Sequence, residues 1–378
     1  MNPELLRCGS VIWVNARFLT RPITGVERVA REVISALVSH HLDSNGDWGG
    51  WGAPVRFVLI APRTPEKIIN PWPQLSLRQA GSLQGHAWEQ WDLPRLTAGQ
   101  YLLNLCNTGP MFKHRQWTFL HDAQTFAIPL NFKPSLRYWY RLLFWWTARF
   151  SSGIVTNSGF SASELHRYVG AGGRRLTVAH LGADHVGRIV PDISPRLHRL
   201  FDQLANCPFV LAVSSDNPNK NFSAVVKALD MMGEAAPACV IVGTRNDRVF
   251  AQTRLDTQRI HHLGYVSDAE LVALYRQAHA MVYPSFYEGF GLPPLEAMWH
   301  GCPVVVSRTS AMPEICGDAA LYCDPNDPAS LAQALGLLLK DDELRRKMSG
   351  LGQDRARTFV WQKTSQIILE AMRRSVSP

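Results

Sequence analysis

Two glutamates in a Glu-x7-Glu arrangement, Glu288 and Glu296, bracket the run Gly289-Phe290-Gly291-Leu292-Pro293-Pro294. An apolar, strand-like stretch ends near Tyr283 just before them. Prolines at 293 and 294 fit the first turn of a helix, where a missing N–H would be unpaired anyway. The glycines let backbone approach a ligand closely and present N–H groups to it. The helix start behind them carries partial positive charge suited to a phosphate. Glu288 then falls on a loop and Glu296 within the first helical turns, so two carboxylates could meet one ligand from different sides. The plainer alternative is a pair of solvated glutamates flanking a tight turn.

Other residues with chemical potential stand at the ends of apolar runs. Lys220 follows the run 209–213 through Asn217-Pro218-Asn219, and is either an anion ligand or a surface charge. Gly243, and Tyr265 with Val266, close two further runs in the same half. In the first half, His121 and Asp122 end a strand-like stretch. Gly25 sits between a strand and a helix, either as an ordinary turn or as a loop made to pass close to a ligand.

Elements that place these residues are legible as alternation. Short apolar runs alternate with helical patterns, which implies βαβ units and mainly parallel sheets. Strands are predicted at 10–14, 55–61, 101–105, 118–120, 153–156 and 176–180, then at 209–213, 238–242, 260–263, 280–283, 304–307 and 320–323. Ser161-x-x-Glu164 and Ser267-x-x-Glu270 read as capping boxes. The stretch 42–54, rich in Gly, Asp and Trp, reads as a surface loop. These patterns predict two doubly wound α/β domains across a cleft, with ligands beyond the carboxyl ends of the strands. The expected boundaries are 1–186 for the first domain, 187–208 for a connection, 209–358 for the second domain and 359–378 for a final helix.

The stretch from Tyr283 to Val305 resembles the donor-site signature of glycosyltransferase family four, a family of retaining enzymes with the two-domain GT-B fold. The resemblance runs along nearly the whole chain and implies several roles. Glu288, Gly289, Phe290, Gly291 and Leu292 would hold the transferred hexose, and Glu296 the ribose hydroxyls of the nucleotide. Lys220 would bind the diphosphate, with Asn219 standing where the family has an arginine. Gly243, Tyr265 and Val266 would line the nucleotide pocket, Gly25 would close over the phosphates, and His121 would face the donor sugar. Phe359-x-Trp361 precedes a helix that in such proteins returns to the first domain. Catalytic roles are thus expected for His121, Lys220 and Glu288.

The implied activity is hexosyl transfer from a GDP- or UDP-hexose, mannose from GDP-mannose first, to a glycan or polyprenyl-diphosphate-linked acceptor. The setting would be lipopolysaccharide or exopolysaccharide assembly. No cofactor is expected, and the chain has no Asp-x-Asp to hold a divalent metal. A nucleotide-sugar epimerase or hydrolase, or a non-catalytic scaffold, would share the fold; activity without acceptor, or loss of donor-site residues, would distinguish them.

Bulk composition agrees with a globular two-domain protein. The chain has 378 residues, 46% hydrophobic and 19% charged, with a formal net charge of +8 that favours anionic partners. Its basic residues are dispersed and no nucleic-acid motif occurs. Seven cysteines form no C-x-x-C pair, which points to a reducing compartment. No signal-peptide pattern and no long apolar run occur, so a cytoplasmic location is expected. The stretch 131–150 carries Lys133, Arg137, Arg141 and Arg149 among Trp139, Tyr140, Phe144, Trp145 and Trp146, with no acid. It suits either an anionic membrane surface at 133–150 or a domain helix with solvated arginines.

Overall fold

A computed structural model describes residues 10–49, 54–204, 207–213, 217–243 and 259–376. The chain divides into two compact units, Met1–Gly182 with Trp361–Pro378, and Ala183–Val360.

In the first unit, strands β1 (Ser10–Asn15), β2 (Asp47–Trp48), β3 (Val55–Ala61), β4 (Ser76–Gln79), β5 (Tyr101–Asn104), β6 (Gln116–Phe119), β7 (Gly153–Thr156) and β8 (Leu176–Val178) form one sheet. Its order is β2-β3-β1-β5-β6-β7-β8, with β4 also on β3. All pairings are parallel except β2 with β3. β2 lies inside the stretch read as a loop, of which 50–53 are outside the described residues. β4 has no strand-like run in the sequence; its burial alternates weakly and it is held by pairing with β3. The helix Gly25–His40 packs against the helix Trp361–Val376. His41 Nε2 lies 3.1 Å from Ser365 Oγ, and Thr364 donates to the His180 carbonyl at 2.6 Å. Trp88, Trp117 and Trp361, three of the chain's twelve tryptophans, are fully buried in the core.

In the second unit, β9 (Phe209–Val213), β10 (Ala238–Val242), β11 (Ile260–Gly264), β12 (Ala280–Tyr283), β13 (Val304–Ser307) and β14 (Leu321–Cys323) pair in the order β11-β10-β9-β12-β13-β14. Every pairing is parallel. Strands β9, β10, β12 and β13 are continuous apolar runs with helices over both faces, whereas β11 carries His261 and His262 and is half-buried. Val210, Ala212, Ile241, Val282 and Val305 pack with Val225, Leu229, Leu331, Leu335 and Leu338 from flanking helices. The stretch 187–208, read from sequence as a connection, is grouped with this unit, and its helix Pro195–Leu204 buries Leu197, Leu200 and Leu204.

Two helix starts differ in instructive ways from expectation. Ser267 and Glu270 do form a capping box. Ser161 does not: the helix begins earlier, at Gly159, and Ser158 is its cap, accepting from Ser161 N at 2.9 Å. Ser161 Oγ instead donates to the His121 carbonyl at 3.0 Å. A third box, Thr24 with Glu27, opens the helix Gly25–His40. Ser158→Ala should therefore lower the unfolding free energy by about 1 kcal/mol. Glu164→Ala should cost no more than about 0.5 kcal/mol. Denaturant titrations of the two variants check the assignment.

Candidate donor site

The order of the second sheet reverses between β9 and β12, so the loops leaving their carboxyl ends diverge and open a crevice. Lys220 is on the loop after β9 and Glu288 on the loop after β12. Lys220 Nζ meets Glu288 Oε1 at 2.8 Å and also donates to the Tyr283 hydroxyl. Its ammonium lies 4.7 Å from the Tyr283 ring centroid. Burial alone would lower the lysine pKa, but the Glu288 carboxylate outweighs it and holds the ammonium above its usual value. Burial and the same carboxylate push the Tyr283 phenol up, so it stays protonated.

Glu288 and Glu296 are only 7% and 8% exposed, which disposes of the solvated-pair alternative. Glu288 N donates to Ser310 Oγ at 3.0 Å, and its carbonyl accepts from Ala311 N at 3.2 Å. Ser310 adopts φ +55°, an uncommon conformation for serine that turns its hydroxyl toward the Glu288 amide. Gly291 has φ +99°, and a Cβ there would lie 2.2 Å from Met312 Cε, so only glycine fits. Gly289 and Phe290 are buried, and Leu292 opens the helix Leu292–Trp299 that carries Glu296. Glu296 Oε2 accepts from Tyr275 Oη at 3.2 Å, and Oε1 lies 3.2 Å from His185 Nε2.

Asn219, where an arginine was expected, supplies no charge and is buried. Its side-chain amide donates to the Tyr287 carbonyl, and its own carbonyl accepts from Phe286 N at 2.9 Å. It stitches the loop after β9 to the loop after β12, which fixes the spacing of Lys220 and Glu288. Residues 214–216, just upstream, lie outside the described residues.

Gly243, Tyr265 and Val266 stand at the carboxyl ends of β10 and β11, where Gly243 N donates to the Gly264 carbonyl at 2.8 Å. Tyr265 is 83% exposed and Val266 is buried. No described hydrogen bond joins them to the Lys220–Glu288 pair. Tyr283, Ser310, Tyr275 and His185 belong to the site by contact and were not singled out from sequence. Each reaches it through packing or a backbone angle that spacing does not encode.

In the first unit, Gly25 has an ordinary negative φ, and a Cβ there would meet nothing within 4 Å. The fold thus makes no steric demand for glycine at 25. Buried Glu27, three positions after the Thr24 cap, pairs with Arg21 at 3.2 Å. His121 is buried, with its ring stacked on Phe119 at 4.5 Å. Its Nε2 is 2.9 Å from the Leu105 carbonyl. A carbonyl only accepts, so Nε2 carries the proton and Nδ1 keeps its lone pair. The His121 amide donates to Asn107 Oδ1 at 2.7 Å, joining the loops after β5 and β6.

In the helix Pro134–Phe150 Arg149 is exposed, whereas Arg137 and Arg141 are not the fully solvated arginines that the sequence suggests. Arg141 is half-buried, donating to the Thr125 carbonyl at 3.2 Å with its guanidinium over Phe126. Beyond its first turn the outward residues are Tyr138, Leu142, Trp145 and Arg149, one helical stripe, with Phe150 beside it.

Two doubly wound units, the second with a half-buried cation and two buried carboxylates at its switch point, make up the GT-B architecture of glycosyltransferases. The family model for glycosyl transferases group 1 matches residues 202–355. Over 266 residues the chain is 34% identical to O-antigen chain mannosyltransferase B of Escherichia coli, spanning 67% of this chain and 69% of that protein. It is 29% identical over 245 residues to MMP alpha-(1->4)-mannosyltransferase of Mycolicibacterium hassiacum, spanning 62% of this chain and 57% of that one. Sucrose-phosphate synthase from Thermosynechococcus elongatus shares the fold, with a TM-score of 0.72 at 17% identity over 97% of this chain and 99% of that one. The chain belongs to the glycosyl transferases group 1 family.

Burial pushes the His121 pKa down from 6.5 to about 4, and the hydrogen bond to Leu105 only partly opposes it. The folded value lies below the unfolded one, so the unfolded chain takes the proton first as pH falls. Stability should be complete above about 6.5 and lost progressively toward about 4. Burial and Arg276 shift His300 in the same direction. Urea unfolding across this window reads the slope, and His121→Asn should make it shallower.

Proposed function

We propose that the chain transfers a hexose from a nucleotide sugar to a glycan or lipid-linked oligosaccharide acceptor of cell-surface polysaccharide, with retention and without a divalent metal. The Lys220–Glu288 pair carries this reading, because it sets a half-buried cation and a buried carboxylate side by side where a sugar diphosphate would bridge them. GDP-mannose is the first-choice donor, supported by the two relatives named as mannosyltransferases.

In this scheme Glu288 and the backbone of 289–292 hold the hexose, Glu296 the ribose, and Lys220 the diphosphate. Gly25 leaves room for backbone to approach the phosphates, and His121 offers Nδ1 to a sugar hydroxyl. The C1–O bond to phosphate breaks as C1 bonds to the acceptor oxygen on the same face. The departing phosphate oxygen takes the acceptor proton. Lys220 stabilises the negative charge that develops there, in a site that is already organised.

The experiment is product formation from GDP-, UDP- and ADP-hexoses, with calorimetry of the nucleotides. One of these donors should be turned over with its anomeric configuration kept, and Glu296→Ala should weaken its nucleotide roughly tenfold or more. An inverted product, or unchanged affinity in the variant, would contradict the assignment. Activity should persist in EDTA; a loss that magnesium or manganese restores would show that a metal takes part.

The same reading extends to the acceptor's location. No helix among the described residues is long and apolar enough to cross a membrane. Tyr138, Leu142, Trp145 and Phe150 are solvent-exposed on one helix, with Lys133 and Arg149 exposed beside them and Arg137 over the Tyr138 ring. Such an outer face suits the headgroup region of an anionic bilayer, with cations contributing about 1 kcal/mol each. Leu142→Gln with Trp145→Ser should abolish co-sedimentation with anionic liposomes and leave turnover of a soluble acceptor analogue near normal. Arg141 is a poor probe because its contacts are internal. Absence of salt-sensitive liposome binding by the wild type would remove this part of the proposal.

A further inference from the structure

The first sheet has a switch point of its own. Its order reverses between β1 and β5, so the chain leaving β1 and the loop after β5 diverge. Glu89 fills the space between them and is 1% exposed. Its Oε1 accepts from Asn15 Nδ2 and from Thr108 Oγ1, both at 2.8 Å. Its Oε2 accepts from Arg17 Nη2 at 3.0 Å and lies 3.2 Å from His86 Nδ1. Burial alone would raise the Glu89 pKa, but His86, Arg17, Asn15 and Thr108 together hold it below its usual value, so the carboxylate is ionised. A carboxylate has about four lone-pair positions, and here each is matched.

The segment that carries Glu89 is pinned. Trp88–Asp92 forms a π-helical turn, a rare form that is frequent at functional sites. The Trp88 indole donates to the Ala80 carbonyl at 2.8 Å. The Gln90 amide donates to the Gly109 carbonyl and accepts from Met111 N, both at 2.9 Å. A carboxylate so fully matched has no capacity left for a ligand, but it can orient its donors. Asn15, Arg17 and Thr108 are buried, whereas the His86 side chain is 38% exposed. Because the carboxylate only accepts, His86 Nδ1 carries a proton, and in the neutral ring Nε2 keeps its lone pair on the far side. The imidazole stands edge-on to Trp139 and Tyr140, with centroids 5.9 and 6.2 Å away. The Trp139 indole N–H is shielded and has no hydrogen-bond partner among the described residues, a cost that a polar group placed there would relieve.

Aromatic walls with a few placed polar groups are the make-up of a small-molecule site. A sugar, with hydroxyls on its rim and C–H groups on its faces, matches that mixture. We propose that His86 binds a hydroxyl of the acceptor sugar through Nε2, beside Trp139, and that Glu89 is the positioning residue that fixes the His86 tautomer. This rests on the transferase reading and names the residue of the first unit that would read its acceptor.

The test is transfer to octyl glycosides of mannose, glucose, galactose and N-acetylglucosamine by the full chain, with nucleotide calorimetry alongside. His86→Asn keeps an N–H near the Nδ1 position for Glu89 and removes Nε2. It should raise the acceptor KM about tenfold or more while nucleotide affinity and the urea midpoint stay at wild type. His86→Gln sets an amide oxygen near the Nε2 position and should recover most of the acceptor binding. Nitrogen-15 spectra in mildly alkaline buffer should show His86 protonated at Nδ1, and Glu89→Gln should shift it toward Nε2. A wild-type acceptor KM in His86→Asn would mean that the histidine only braces Glu89, and would overturn the proposal. An Nε2-protonated His86 in the wild type would overturn it too, and in both cases the transferase reading survives. If the wild type transfers to none of the glycosides, the acceptor reading falls and this inference with it. Should Glu89→Gln fail to fold, the wild-type spectrum and the two His86 variants decide the matter.

Discussion

A half-buried lysine and a buried glutamate can face each other only if something holds both in place against their hydration. Here the constraint is the parting of β9 and β12, two parallel strands whose following loops run to opposite sides of the sheet. Lys220 and Glu288 come from those two loops and close the gap with one ion pair. The desolvation of such a pair can match or exceed its attraction, so the contact is a poor source of stability. Removing either member alone would leave an uncompensated charge. An arrangement that is costly to keep and costly to break fits a site that waits for a charged ligand better than it fits a structural brace.

The surrounding groups make sense as devices that keep this pair poised. Asn219 ties the two loops together through backbone carbonyl and amide groups, and Ser310 secures the Glu288 amide from the loop after β13. The hydroxyl of Tyr283 accepts from Lys220 and the face of its ring lies near the ammonium. These contacts engage two of the three N–H groups of Lys220. In the first unit the logic is similar but neutral. The buried His121 keeps its proton on the nitrogen that faces Leu105 and leaves the other as an acceptor.

The fold was largely written in the period of the apolar runs. All twelve strands expected from sequence are present, six of them with identical bounds, because parallel strands buried on both faces need uninterrupted apolar stretches. The short strands β2 and β4 were invisible since partial burial leaves no such run. Ser161 shows a different failure: Ser-x-x-Glu was read as a box, yet Ser158, three residues earlier, holds the cap. At the site, the motif residues were legible as a motif, whereas their partners were not. Tyr283 looks like the end of a strand, Ser310 like any loop serine, and His185 sits 111 residues before its partner Glu296. Burial of Arg141 likewise depended on carbonyls of Thr125 and Phe126 that no helical wheel contains.

The first unit takes its last helix, Trp361–Val376, from beyond the whole of the second unit. Trp361, Ile368, Leu369 and Met372 are buried in it, against a helix made near the start of the chain. Synthesis runs from the amino end at about 5–20 residues per second, so the wait between Gly182 and Trp361 is on the order of ten to forty seconds. During that time the contiguous second unit can close on itself, while the first has an uncovered apolar face. The unit begun first is therefore finished last. An enzyme built this way cannot acquire a complete amino-terminal half on the ribosome before the half that carries the Lys220–Glu288 pair has already been made.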